Sequence, residues 1–270
     1  MSEQDKNFSG SIPDIYDDVL VPLIFQHYAQ DMARRVASVM PESVLETAAG
    51  SGVVTRALAP LLPSVTRYVV TDLNPPMLSR AQRQQPDADR IEWAQADAMA
   101  LPYGDDTFDV VCCQFGMMFL PDKTVGYREA FRVLRDHGRF IFNVWDRIED
   151  NHFAHSVTAT AARFFPDDPP VFLARTPHGF HDAEAICLGL RNAGFAHVDV
   201  NTVTAESRAD NAYIPAFAYC QGTPLRNEIE ERGAGLLDKI TEAAAADIER
   251  VFGVGPISGK IQGHVFVASI

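Results

Sequence analysis

Between residues 43 and 146 the chain alternates short apolar runs with longer stretches whose apolar positions recur every three or four residues. The runs at 43–47, 67–72, 91–94, 108–114 and 139–145 predict strands, and the segments 52–61, 75–84 and 124–134 between them predict helices. Turn signals separate these elements at Asn74-Pro75-Pro76, Pro102-Tyr103-Gly104-Asp105 and Asp136-His137-Gly138. A strand–helix–strand rhythm of this kind implies an α/β domain, with a parallel sheet covered by helices on both faces.

The flanks follow other patterns. Phe8, Ile12, Ile15 and Tyr16 lead into a helically spaced segment from Val19 to Val39, which Met40-Pro41 ends. This predicts a helical cap over residues 1–40 on a core spanning 41–146. Residues 147–181 are rich in Phe, His and Pro and are expected to form a lid or substrate segment. A helix at 182–193 stops at Gly194, a usual helix terminator, and strands follow at 196–204 and 260–269. The C-terminal part of the core therefore spans 182–270, with an insertion at 208–258 that is helical near 211–220 and 225–252. In the insertion Ile229, Leu236, Leu237, Ile240, Ile248, Val251 and Phe252 keep roughly helical spacing. No internal repeat and no low-complexity tract is found.

Composition narrows the class. The chain has 270 residues, 47% hydrophobic and 22% charged, as in ordinary globular proteins. Its 36 acidic and 23 basic residues give a net charge of −13, which disfavours nucleic acid and stable association with anionic membranes. The N-terminus lacks the form of a signal peptide, and no apolar run approaches the about 20 residues that span a bilayer. Cysteines stand at 112, 113, 187 and 220, the adjacent pair inside an apolar run; this is a burial pattern, with no disulfide or metal spacing. A reduced, cytoplasmic protein is expected. Nothing in the sequence fixes an oligomeric state.

The candidate chemistry lies at the ends of the first strands. Val44-Leu45-Glu46-Thr47-Ala48-Ala49-Gly50-Ser51-Gly52 delivers a carboxylate to a strand end and follows it with a turn of small residues. Small residues let a ligand approach the backbone, and a helix start supplies N–H groups beside it. Asp72 ends the next strand, where a carboxylate suits the two hydroxyls of an adenosine ribose. The nicotinamide-dinucleotide fingerprint Gly-x-Gly-x-x-Gly is absent, since β-branched residues follow Gly52. Glu46 would also repel a pyrophosphate but attract an ammonium and a sulfonium.

The order of motifs resembles the class I S-adenosylmethionine-dependent methyltransferases, in the branch similar to ubiquinone/menaquinone-biosynthesis and related small-molecule enzymes. The resembling pieces are Leu45–Gly52, Thr71-Asp72-Leu73-Asn74-Pro75-Pro76-Met77-Leu78, Gln95-Ala96-Asp97-Ala98 and Leu101-Pro102-Tyr103 with Phe108-Asp109-Val110-Val111. Glu129–Leu134, Gly138-Arg139-Phe140 and Ala193-Gly194-Phe195 complete the set. The resemblance implies a Rossmann-like, seven-stranded, mostly parallel sheet with helices on both faces, an antiparallel last strand and helical cap or lid segments.

It also implies S-adenosyl-L-methionine as cofactor. Glu46, Ala48, Gly50 and Gly52 would then hold the methionine part, and Asp72 the ribose. Leu73 and Met77 would pack on the adenine, Asp97 would accept its amino group and the Ala98 backbone would read the ring edge. Gln114, ending the fourth strand, joins this set. Ala48 stands where the family's turn begins with glycine, a change expected to be tolerated if its φ is negative.

The reaction implied is in-line transfer of the methyl group to a small O-, C- or N-acceptor. No Asp/Asn-Pro-Pro-Tyr/Phe motif follows the fourth strand, which reads Cys113-Gln114-Phe115-Gly116 and disfavours amide and exocyclic-amine acceptors. Aromatic and histidine residues of the variable segments, among them Trp145, Phe164, Phe165, Phe172 and His178, suggest an apolar or aromatic acceptor. Tyr16 and His181, at the expected hinges of the cap, are the candidate general bases. The alternative is a cofactor-binding protein or cyclase-like relative that transfers no methyl group.

Overall fold

The structure, a computed structural model, describes residues 12–86 and 88–270. The part of the cap expectation that concerns residues 1–11, Phe8 included, lies outside the described residues. Seven strands form one sheet: β1 Ser43–Glu46, β2 Arg67–Asp72, β3 Glu92–Gln95, β4 Phe108–Gln114, β5 Leu134–Trp145, β6 His197–Ala209 and β7 Ile257–Ser269. Their order is β3-β2-β1-β4-β5-β7-β6. Strands β1 to β5 pair in parallel, with Glu46 opposite Val70 of β2 and Cys112 of β4. The last strand runs antiparallel: Asp146 bonds Gln262 while Ile270 bonds Gly138, and Ala196 bonds Ser269 while Thr202 meets His264. The Rossmann-like α/β sheet is the one expected.

Sequence explains most of these elements. All four residues of β1 are buried, as are Phe108, Val110, Val111, Cys112 and Cys113 on β4, because helices cover both faces of a parallel sheet. Asn74 caps the helix Pro75–Gln84 and places two prolines in its first turn, where their missing N–H groups cost nothing. Asp122 caps the helix Lys123–Val133 by accepting the N–H groups of Thr124 and Val125. The helix Ala183–Ala193 ends on Gly194 in the left-handed region.

The chain divides into two compact units. The sheet unit comprises residues 26–144, 181–202 and 264–270. In it Phe140, Phe142 and Phe266 stack with centroids 4.7 and 4.9 Å apart. Phe195 extends the column toward Phe131. The helical unit comprises, among the described residues, 12–25, 145–180 and 203–263. Its helices include His152–Phe164, Tyr213–Gln221, Leu225–Arg232 and Leu237–Phe252.

Two helical expectations change in detail. The segment expected as one helix from Val19 to Val39 is a π-helix over Tyr16–Phe25 followed by an α-helix over Gln26–Ser38. Pro22 has no N–H to close an α-helical bond, and the wider winding spans it. The stretch expected as helical near 225–252 is two helices, broken at Gly233 and Gly235.

Candidate functional site

The carboxyl ends of β1, β2 and β4, the turns after β1, β2 and β3, and the first turn of the helix Pro75–Gln84 carry every residue expected to hold the cofactor, and all of them lie in the sheet unit. The turn after β1 is tied to both neighbouring strands. The Thr47 N–H donates to the Cys112 carbonyl at 2.9 Å, and the Ala49 N–H to the Thr71 carbonyl at 3.0 Å. Ala48, Gly50 and Gly52 have φ of 51°, 57° and 81°, so the chain there visits the left-handed region three times in five residues. The condition set for Ala48, a negative φ, is thus not met. An L-residue in this region costs about 1–2 kcal/mol. Space for its methyl group comes from Gly116, where an added Cβ would lie 2.5 Å from the Ala48 Cβ.

Phe115, buried beside Gly116, is also left-handed, with φ of 50°. Its N–H donates to the side-chain oxygen of Asn143 at 2.9 Å, and its ring meets that of Tyr28 edge-on at 5.1 Å. The second amino-acid strain in the site is therefore held by a buried amide and by an aromatic contact. Bulky residues rarely take this conformation, and such strain persists only where the surroundings enforce it.

Asp72 fastens the turn. Its Oδ2 accepts the Gly50 N–H and its Oδ1 the Asn74 N–H, both at 2.7 Å. Burial pushes its carboxyl above the usual range, against these two backbone donors. Each carboxylate oxygen retains a further acceptor position, as two ribose hydroxyls would need.

Glu46 is 1% exposed. Thr55 donates to its Oε2 at 2.9 Å, and the Tyr68 hydroxyl donates to the same oxygen. Among the described residues no hydrogen bond reaches Oε1. Burial pushes the Glu46 carboxyl up to about 7, while the hydroxyls of Tyr68 and Thr55 and the Arg56 guanidinium pull it down. The two acids at the ends of adjacent strands thus face the same region of turn with few cations beside them. That set suits a cationic ligand and disfavours a pyrophosphate.

The remaining expected residues are more open. Leu73 is half exposed, as a lipophilic surface awaiting a ring would be, whereas Met77 is buried. An added Cβ at Gly50 would meet only the Met77 methyl, at 3.7 Å, so open space borders the backbone there. Asp97 and Ala98 are half-buried in a tight turn, in which Asp97 Oδ1 accepts the Met99 N–H at 2.8 Å and its carbonyl the Ala100 N–H at 2.9 Å. Gln114 ends β4 and is half-buried. The carboxylates, the open backbone at Gly50 and the exposed Leu73 fit S-adenosylmethionine.

Tyr16 and His181 are the two candidate bases. Tyr16 belongs to the helical unit, where its ring lies 4.9 Å from that of Phe25; His181 is half-buried in the sheet unit. Reasoning from sequence missed Tyr68, Thr55 and Asn143. Tyr68 sits in an apolar run and reads as core; the signal was a polar group four residues before Asp72 on a buried strand.

Comparison with known proteins agrees with this geometry. The model of the ubiE/COQ5 methyltransferase family matches residues 8–210. The chain is 30% identical over 181 residues to a demethylmenaquinone methyltransferase of Clavibacter sepedonicus, covering 64% of this chain and 73% of the relative. It is 28% identical over 176 residues to the ubiquinone/menaquinone biosynthesis C-methyltransferase UbiE of Klebsiella pneumoniae (strain 342), covering 61% and 70%. Among solved structures, an S-adenosylmethionine-dependent methyltransferase of Thermotoga maritima has a TM-score of 0.50 at 15% identity, covering 95% of this chain and 98% of its own, a likeness of fold. The chain belongs to the ubiE/COQ5 methyltransferase family and is an S-adenosylmethionine-dependent methyltransferase.

Proposed function

We propose that this enzyme methylates a ring carbon of a small, largely apolar aromatic acceptor of the phenol or quinol type. The observation that carries the reading is the family membership, with two relatives whose names specify a demethylmenaquinone acceptor and C-methylation. The helical unit supports it with a run of rings. Tyr16, Phe25, Trp145 and His178 follow one another at centroid distances of 4.9, 5.8 and 5.9 Å. Phe25, Trp145 and His178 are buried and Tyr16 is half-buried, an aromatic environment compatible with a flat apolar ligand.

The bound cofactor supplies an electrophilic sulfonium methyl group. Glu46 holds the ammonium end, Asp72 the ribose hydroxyls, Leu73 and Met77 the adenine faces, and Asp97 with the Ala98 backbone the adenine edge. Ala48, Gly50, Gly52 and Gln114 border the methionine chain. The protein's main contribution is alignment and exclusion of water. A carbon acceptor gains the methyl group and must lose one proton, which calls for a base. Tyr16 and His181 are the two side chains proposed for it.

Among the described residues no helix is long and apolar enough to cross a membrane, and no cluster of three metal-ligating side chains occurs. The four cysteines are unpaired, which fits a reducing compartment, and we take the cytoplasm as the site of action.

Incubation with methyl-labelled S-adenosylmethionine and a panel of naphthoquinols, phenols and amines tests the proposal. Label on a ring carbon of a quinol or phenol, located by NMR, is the expected result. Transfer to nitrogen alone, or none to any aromatic acceptor, would overturn it. His181→Ala and Tyr16→Phe are assayed on the same acceptor; if both retain full turnover, neither is the base.

A further inference from the structure

We infer that Tyr68, with Thr55, is a positioning residue for the methyl donor, holding the Glu46 carboxylate charged and turned toward the donor's ammonium group. The inference rests on the assignment of Glu46 to that ammonium.

Three strands and one helix surround the group. Glu46 is the last residue of β1, Tyr68 projects from the adjacent β2, and Thr55 from the helix Val53–Leu58 that follows the turn. Tyr68 is 1% exposed and Thr55 is fully buried, so neither hydroxyl has water as an alternative partner. Both donate to Oε2. An arrangement that saturates one oxygen and leaves the other without a described donor fixes the orientation of the carboxylate. It also leaves one oxygen for a ligand. A tyrosine in the interior of a parallel sheet strand needs such a partner, because a buried phenol without one is costly.

The charge state of Glu46 is set by a small number of neighbours. Burial raises its carboxyl toward neutrality, and the two hydroxyls and Arg56 oppose that rise. Asp72, at the end of β2, adds to the rise. Arg56 is anchored on the Ser51 carbonyl at 2.6 Å. On the other side β4 presents Cys112 and Cys113, whose thiols burial holds above their ordinary range and therefore neutral. Tyr68 is itself pushed well above the ordinary phenol range by burial and by Glu46, so it remains a donor throughout. Its hydroxyl heads the groups that hold Glu46 ionised, since hydrogen bonds to a charged form favour that form.

Because Glu46 titrates near 7, donor affinity should fall as pH drops through that value and the carboxylate takes up a proton. Removing the phenol hydroxyl should move that fall to higher pH. The test is calorimetric titration of S-adenosylhomocysteine into wild type, Tyr68→Phe, Thr55→Val and Glu46→Gln between pH 5.5 and 8.5. 5′-Methylthioadenosine, which lacks the ammonium, is titrated alongside.

For Tyr68→Phe the pH midpoint is expected to rise by about one unit, with an about fivefold loss of affinity at pH 7 that is largely recovered at pH 8.5. Thr55→Val should show a smaller shift in the same direction. Methylthioadenosine should bind all four proteins equally at every pH. If Tyr68→Phe keeps the wild-type midpoint while Glu46→Gln loses affinity, the role of Tyr68 is refuted and the assignment of Glu46 stands. If Tyr68→Phe weakens both ligands alike, Tyr68 is a packing residue only and the inference falls. If Glu46→Gln binds S-adenosylhomocysteine as wild type does, the assignment of Glu46 fails and takes the inference with it.

Discussion

The methyl group of Ala48 occupies space that Gly116 leaves open. An added Cβ at position 116 would lie 2.5 Å from the Ala48 Cβ and 2.7 Å from the Cys113 sulfur, so this glycine answers to side chains on two strand ends. Gly116→Ala should therefore lower stability by about 1–3 kcal/mol and weaken donor binding, as overpacking of a close-packed site does. Ala48→Gly removes one of the two clashes together with the left-handed alanine. The double variant Ala48→Gly/Gly116→Ala should accordingly recover part of the loss, and the two substitutions should be non-additive. Chemical denaturation of the four proteins measures the coupling; additive effects would show that the two positions do not meet.

That pairing was not legible in the sequence. Position 48 was recognisable as the departure from a glycine turn, but its sign of φ is set by the hydrogen bonds of Thr47 and Ala49 to β4 and β2, which are tertiary. Asp72 was legible as a strand-end acid beside a small-residue turn. Of its two backbone donors, Asn74 is local, two residues on, whereas Gly50 was not legible because it arrives from the turn after β1. Tyr68 was hidden for a related reason: a phenol in a strand reads as core until its hydroxyl partner is known.

Among the elements, strands β1 to β5 follow from the apolar runs, because a parallel sheet buried on both faces requires uninterrupted hydrophobicity. The helix His152–Phe164 does not stand out in that way. Its buried positions Phe153, Ala154, Val157, Thr160 and Ala161 include small and polar residues, so its apolar stripe is faint. A polar clasp serves the same unit at Glu228, on the helix Leu225–Arg232. Its carboxylate accepts the N–H groups of Val171 and Phe172 at 2.8 and 3.1 Å and pairs with Arg175 at 2.9 Å. Glu228→Ala strands these donors and should cost about 2–4 kcal/mol, with faster hydrogen exchange concentrated at residues 171–175. Exchange there equal to wild type would show that the clasp does not hold this segment.

For the molecule as a whole, the expectations with the most consequence concern charge and ligand. A chain of net charge −13 that gathers Glu46 and Asp72 at one turn is built for a cationic donor, and its family membership names that donor. The helical unit carries aromatic residues without a motif, so no motif there names the acceptor. The donor is therefore the claim on which the rest stands. Calorimetric titration of the full chain with S-adenosylmethionine, S-adenosylhomocysteine and NADH at pH 8 tests it most directly. Saturable one-to-one binding of the first two and none of NADH is expected; NADH binding in their place, or no binding of either sulfur ligand, would refute a methyl-donor site.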